Sequence, residues 1–177
     1  MVTSARLLIS QNKIQERVRE LAREVKKDYL NKKPVLVGVL NGAFIFMADL
    51  IRFLDMPAEF DFIAVASYGA KKNSSGKVNL LKDISLDIKN RNVIIVEDII
   101  DTGISTDFII NYLKQKSPKS IRFCVLLNKR ERRKVPVQID YCGFEVPNKF
   151  IIGYGLDYNG QYRNLPYVGY IETKKLK

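Results

Sequence analysis

Three apolar runs, each set apart by a segment of helical periodicity, limit this chain's architecture more than any other feature. "PVLVGVL" (34–40), "NVIIV" (92–96) and "IRFCVLL" (121–127) carry almost no polar side chains on either alternating face. Extended segments of that kind must be covered on both sides. Ile14, Val18, Leu21, Ala22 and Val25 recur at helical spacing over 11–29, with Ser10 placed as an N-cap. "NGAFIFMADLIRFL" (41–54) reads as a turn and an apolar helix, and "STDFIINYLKQK" (105–116) as a helix closed by Ser117-Pro118. "AEFDFIAVASY" (58–68) is strand-rich, "GAKKNSSGK" (69–77) is a loop, and the last third holds short strands such as "FIIGYGLD" and "LPYVGYIE". Strands alternating with helices predict an α/β fold with a twisted, mainly parallel sheet flanked by helices. No repeat or linker divides the 177 residues, so 1–177 reads as one domain.

Composition prunes the chemistry. There is no histidine, so Ser-His-Asp hydrolysis, Cys-His catalysis and imidazole-bound metals are excluded within this chain. Cys124 and Cys142 lie in apparent strands and read as buried thiols. A metal would therefore need oxygen ligands, which points to magnesium. The opening "MVTSARLLIS" has only a three-residue apolar run, too short for a signal-peptide core, and no stretch is long enough to span a membrane. The chain reads as soluble and cytoplasmic. A net charge of +11 fits nucleic acid, a multiply phosphorylated small molecule, or plain surface solubility, and charge alone does not separate the three. The dense run "NKRERRK" (128–134) has no interleaved aromatics, which gives little support for a single-strand stacking platform.

The stretch "VIIVEDIIDTG" (93–103) concentrates chemistry. A buried strand runs directly into Glu97, Asp98 and Asp101, followed by the small, hydroxyl-rich turn "DTGIST". In open parallel sheets, ligands bind beyond the carboxyl ends of the strands. Acids there can accept from sugar hydroxyls or hold a metal. Backbone N–H groups opening the next helix, with the hydroxyls of Thr102, Ser105 and Thr106, suit a phosphate. A phosphorylated sugar has both kinds of partner. Surface acids or helix caps are the alternative, which suits one acid better than three. Neither G-x-x-x-x-G-K-[ST] nor G-x-G-x-x-G occurs.

"VIIVEDIIDTG" resembles the phosphoribosyl-pyrophosphate signature of type I phosphoribosyltransferases. The chain as a whole resembles the hypoxanthine(-guanine) phosphoribosyltransferases of purine salvage. "GVLNGAFIFMADL", "SYG", "LLNK" and "GFEVPNKFIIGYGLDYNGQYRNLP" all fall in family order. The resemblance implies transfer of the 5-phosphoribosyl group from phosphoribosyl pyrophosphate to hypoxanthine, and to guanine, giving the nucleotide and pyrophosphate. It implies a small hood subdomain made by the N-terminal segment and parts of 140–177, with magnesium as cofactor and a homodimer or homotetramer as the assembly. Glu97 and Asp98 match the acids at the ribose hydroxyls and metal, and Asp101 matches the general base. Thr102, Gly103, Ile104 and Ser105 match the loop for the sugar's terminal phosphate; Ile104 stands where many relatives carry Lys, Asn or Arg.

On the purine side, Lys129 matches the donor to the 6-oxo group, Phe150 the stacking aromatic, and Ile151 the backbone that reads the base edge. Asp157 matches an acid at the purine and a magnesium, and Arg163 a pyrophosphate ligand. Asn41-Gly42 match the pyrophosphate loop, where a cis peptide is common in the family and where many relatives have Lys for Asn41. Ser67 and Tyr68 match a lid that excludes water. Arg132 and Arg133 fit subunit contacts, the pyrophosphate loop or an ordinary charged surface. A base with a complete purine set argues against a nucleic-acid binder on the same fold; a transferase for xanthine or a pyrimidine is the other alternative.

Overall fold

The computed structural model describes residues 5–67 and 78–172. Its main layer is a six-stranded sheet. β2 (Val35–Leu40), β3 (Glu59–Ser67), β5 (Asn92–Ile100), β6 (Ser120–Asn128) and β7 (Tyr141–Glu145) run parallel, and β4 (Val78–Lys82) closes one edge antiparallel to β3. The order across the sheet is β4-β3-β2-β5-β6-β7. Two of the apolar runs, in β2 and β5, lie side by side at its centre, as full burial requires.

Helices α1 (Gln11–Tyr29) and α2 (Phe44–Leu54) cover one face. Ile14, Val18, Leu21, Ala22 and Val25 are all buried there, against Phe46, Met47 and Leu50 of α2. The other face takes α3 (Ile104–Lys114), whose Ile109 and Leu113 pack on Val93, Ile95 and Phe123. Truncating any of these large side chains to alanine would cost about 2–5 kcal/mol. Gly38 in β2 lets Phe62 and Met47 close over the strand: a Cβ there would sit 2.8 Å from the Phe62 ring.

A second, antiparallel sheet joins β1 (Ala5–Ile9) to β9 (Val168–Ile171) and β9 to β8 (Phe150–Ile152). Two sequence expectations change in detail. Ser10 occupies the N-cap of α1, but its hydroxyl makes no capping hydrogen bond; its carbonyl accepts from Ile14 N at 3.1 Å, the first bond of the helix. Cys124 is buried, whereas Cys142, at the edge strand β7, is only half-buried. Among the described residues, no helix is long and apolar enough to cross a membrane.

Candidate active site

The carboxyl ends of β2, β5 and β6 meet the loop that follows β8. Side chains of β5 alternate: Val93 and Ile95 face α3, while Ile94 and Val96 face α1 and α2. Because the strand continues to Ile100, Glu97 and Asp98 are also sent to opposite faces. Glu97 turns towards α3 and is 7% exposed, with Oε2 accepting from Thr106 Oγ1 at 2.9 Å. Burial, and then the neighbouring charge of Asp98, push its carboxyl up to about 8. Thr106, expected at the phosphate, is thus committed to Glu97.

Asp98 points the other way, against the loop after β2. Any side chain at Gly42 would overlap its carboxylate. Burial raises Asp98 to about 6 against the pull of its own and Ile99's N–H groups; Arg163 lowers it and Asp157 raises it. The alternation slips after Asp98: Ile99 packs with the α1/α2 side and Ile100 with the α3 side, so Asp98 and Ile99 both line one cleft. The peptide before Asn41, joining it to Leu40, is cis; the family resemblance pointed to this loop.

Asp101 opens the turn. Its Oδ1 is buried and has no hydrogen-bond partner among the described residues. Its Oδ2 accepts from Arg132 Nη1 at 3.1 Å and lies 3.8 Å from Lys129 Nζ. The basic run wraps this turn. Arg133 Nε donates to the Asp101 carbonyl at 3.2 Å, and Lys134 N and Val135 N both donate to the Thr102 carbonyl, at 2.9 and 3.1 Å. Gly103 caps α3 with φ of 83°, and a Cβ there would come within 2.6 Å of the Val135 carbonyl oxygen. Thr102, Ile104 and Ser105 are half-exposed beside the first-turn amides of α3, the positive end of the helix. A hydrocarbon at Ile104 brings no charge, so anion affinity here rests on backbone N–H groups.

A cleft of about 960 Å³ lies above this turn. It brings together Asp98, Asp101, Lys129, Phe150, Ile151 and Asp157 of the expected residues. Lys129 is 5% exposed, and burial lowers the pKa of its ammonium despite the raising influence of Asp101. Phe150 stands at the opposite wall, 37% exposed, edge-on to Tyr158 with ring centroids 5.4 Å apart. Ile151 is buried in β8, paired with Tyr170 of β9. Asp157 and Arg163 come as a pair: Arg163 Nη2 lies 2.7 Å from Asp157 Oδ1, and Arg163 Nη1 donates to the Gly155 carbonyl at 2.6 Å.

Gly155 rests on the Gly42 carbonyl so closely that no Cβ would fit, which ties the loop after β8 to the loop after β2. Glu97, Thr102 to Ser105, Asn41, Gly42 and Arg163 stand outside the cleft's lining. Ser67 ends β3, and Tyr68 with the rest of the expected lid lies outside the described residues. The second sheet and its flanking loops add wall residues that sequence reasoning missed: Tyr170 in β9, Lys149 just before β8, with Nζ 3.6 Å from the Tyr170 ring centroid, and Leu156 in the loop after β8. Nothing marks Tyr170 in the sequence, since it reaches the cleft through pairing of β9 with β8.

The cleft therefore offers the Asp101 carboxylate, a buried ammonium and an aromatic edge, with the acids Asp98 and Asp157 also in its lining. Among the described residues, no group of three or more His, Cys, Asp or Glu side chains forms a cation cage. This parallel sheet, with acids and a helix start at its carboxyl edge, corresponds to the phosphoribosyl transferase domain, whose family model matches residues 8–159. The chain belongs to the hypoxanthine(-guanine) phosphoribosyltransferase family. It is 43% identical to the hypoxanthine-guanine phosphoribosyltransferase of Bacillus subtilis over 94% of this chain and 93% of that one. A crystal structure of a hypoxanthine-guanine phosphoribosyltransferase from Bacillus anthracis superposes with a TM-score of 0.90 at 43% identity, covering 97% of this chain and 100% of the other. The bifunctional protein TilS/HprT of Listeria innocua is 44% identical over 96% of this chain, and the chain spans about a quarter, 26%, of that protein.

Proposed function

We propose that this chain transfers the 5-phosphoribosyl group of phosphoribosyl pyrophosphate to hypoxanthine and guanine, a purine salvage reaction. A C–N bond forms between the anomeric carbon and an imidazole-side nitrogen of the purine. The bond from that carbon to pyrophosphate breaks, and the purine's N–H proton passes to Asp101. The observation that carries this proposal is the half-buried Asp101 carboxylate lining one cleft with the buried Lys129, its Oδ2 3.8 Å from that ammonium. A carboxylate at the cleft wall, within reach of a bound base, can accept the purine N–H. Lys129 donates to the 6-oxo group, which selects against adenine, whose amino group cannot accept that bond. Phe150 stacks on the base, Ile151 reads its edge through the backbone, and closure of Ser67-Tyr68 keeps water out.

Thr102, Gly103, Ile104 and Ser105 receive the sugar's terminal phosphate at the start of α3, and Asp98 takes ribose hydroxyls. Glu97 acts from behind the strand, through Thr106. Asn41, Gly42 and Arg163 hold pyrophosphate, with Arg163 exchanging part of its pairing with Asp157 for phosphate oxygens. The charge of Asp157 raises the cost of ionising Asp98, and these two oxygen donors fit a magnesium ion whose other ligands are substrate oxygens. Bound there, magnesium neutralises charge on the pyrophosphate. A cytoplasmic location and a homodimeric or homotetrameric assembly complete the proposal.

Purified protein incubated with phosphoribosyl pyrophosphate, magnesium and each of hypoxanthine, guanine, xanthine and adenine tests it. Nucleotide is expected from hypoxanthine and guanine, with one pyrophosphate released per turnover, and none from adenine. No nucleotide from either 6-oxopurine would overturn the proposal.

A further inference from the structure

Arg132 lines the cleft beside Asp101. In sequence it is one of four cations within five residues, and its guanidinium lies on a short 3-10 turn, Arg130–Arg132, with a half-exposed side chain. Its neighbours have other partners. Arg130 pairs with Glu145 at 2.9 Å, and Arg133 spans the Asn128 side chain and the Asp101 carbonyl. Among the described residues, Arg132 alone reaches the Asp101 carboxylate within hydrogen-bond distance, at Oδ2. Lys129 is the other cation near that oxygen, 3.8 Å away, too long for a hydrogen bond.

Resting on the transferase function above, we infer that Arg132 is a positioning residue that fixes the rotation of the Asp101 carboxylate, with Oδ1 packed inside and Oδ2 kept at the cleft to meet the purine N–H. A carboxylate on a single χ2 axis can otherwise turn either oxygen to the ligand, because terminal torsions of this kind are broad. An anchored Oδ2 removes that freedom. It also leaves Asp101 a cation when Lys129 turns its ammonium to the 6-oxo group. Without Arg132, that movement would strip the half-buried carboxylate of its nearest positive charges at the moment it must accept a proton. Arg132 thereby separates two tasks that one lysine would otherwise share: reading the oxo group and steadying the base.

A double-mutant cycle tests this. Arg132→Gln in the parent chain is expected to lower kcat about tenfold, part of the 10²–10⁴ that a positioned base supplies, with KM for phosphoribosyl pyrophosphate unchanged. Arg132→Lys, which keeps the charge but loses the fork, should recover part of that loss. In an Asp101→Asn background the same Arg132→Gln change should have no further effect, since Arg132 acts through Asp101. An unchanged kcat in Arg132→Gln would overturn the inference. So would an equal loss in both backgrounds, which would mark a direct substrate contact or a folding role. A parent chain that makes no nucleotide would instead sink the transferase function itself.

Discussion

The two walls of the cleft are built in opposite ways. The floor comes from one continuous segment, Glu97 to Thr106, of which Asp98, Ile99 and Asp101 line the cleft: a strand, a three-residue turn and the first turn of a helix. The far wall is assembled from pieces, with Lys129 at the end of β6, Phe150 and Ile151 in β8, Asp157 in the loop beyond and Tyr170 in β9. A sugar phosphate needs acceptors and backbone donors within a few ångströms, which a strand-to-helix turn supplies by itself. A planar base needs surfaces on several sides, which no single segment offers. Asp101 stands where the walls meet: its backbone belongs to the floor, and its carboxylate lies beside Lys129 and Arg132. The floor can therefore be read from local pattern, while the wall is a product of topology.

Variants that separate the two walls sharpen this contrast. The largest effect is expected at their junction. Asp101→Asn keeps size and removes basicity, and should lower kcat about 10²–10⁴-fold with phosphoribosyl pyrophosphate still binding; initial rates across substrate concentrations would show it, and an unchanged kcat would remove Asp101 as base. The next effect belongs to the wall. Lys129→Met preserves volume, which avoids a cavity at a buried site, and removes the donor to the oxo group. A charge-assisted hydrogen bond contributes about 1.5–3 kcal/mol, so kcat/KM for hypoxanthine should fall roughly ten- to a hundredfold.

The smallest effect lies behind the floor and appears in stability, not rate. Glu97 is raised from its ordinary 4.5 to about 8 in the folded chain. The folded state thus holds a proton that the unfolded chain has released, and the burden on folding grows as pH rises from about 4.5 to about 8. Glu97→Gln removes that burden. The ligand-free variant should melt several degrees above the parent at pH 8, at about 2–4 °C per kcal/mol for a chain of this size, and close to it at pH 5. Thermal scans at both values check the sign, and a variant destabilised equally at both would contradict the assignment.

The pattern of legibility follows the same division. The apolar runs in β2, β5 and β6 and the helix at 11–29 are where periodicity places them, because burial on both faces or on one stripe leaves a direct imprint on residue choice. β4 and β1 left no such imprint. "VNLLK" is an edge strand with Leu81 exposed, and β1 gains its partner only from β9, more than 150 positions along the chain. Within the floor, the acids were found but not their directions. Glu97 and Asp98 read as two acids for one ligand, whereas β5 runs on to Ile100 and its pleat sends them apart. Arg132 was indistinguishable from its basic neighbours, since a charge run names no partner. Only the fold sets one of those guanidinium groups against Asp101.

If floor and wall are separate devices joined at Asp101, losing the wall's lysine should leave the floor's ligand untouched. Calorimetric titration of phosphoribosyl pyrophosphate with magnesium into the parent chain and into Lys129→Met measures this directly. The expected result is the same Kd for both proteins, beside the ten- to hundredfold loss in hypoxanthine kcat/KM. A sugar-donor Kd weakened by the same factor as the purine would contradict the division.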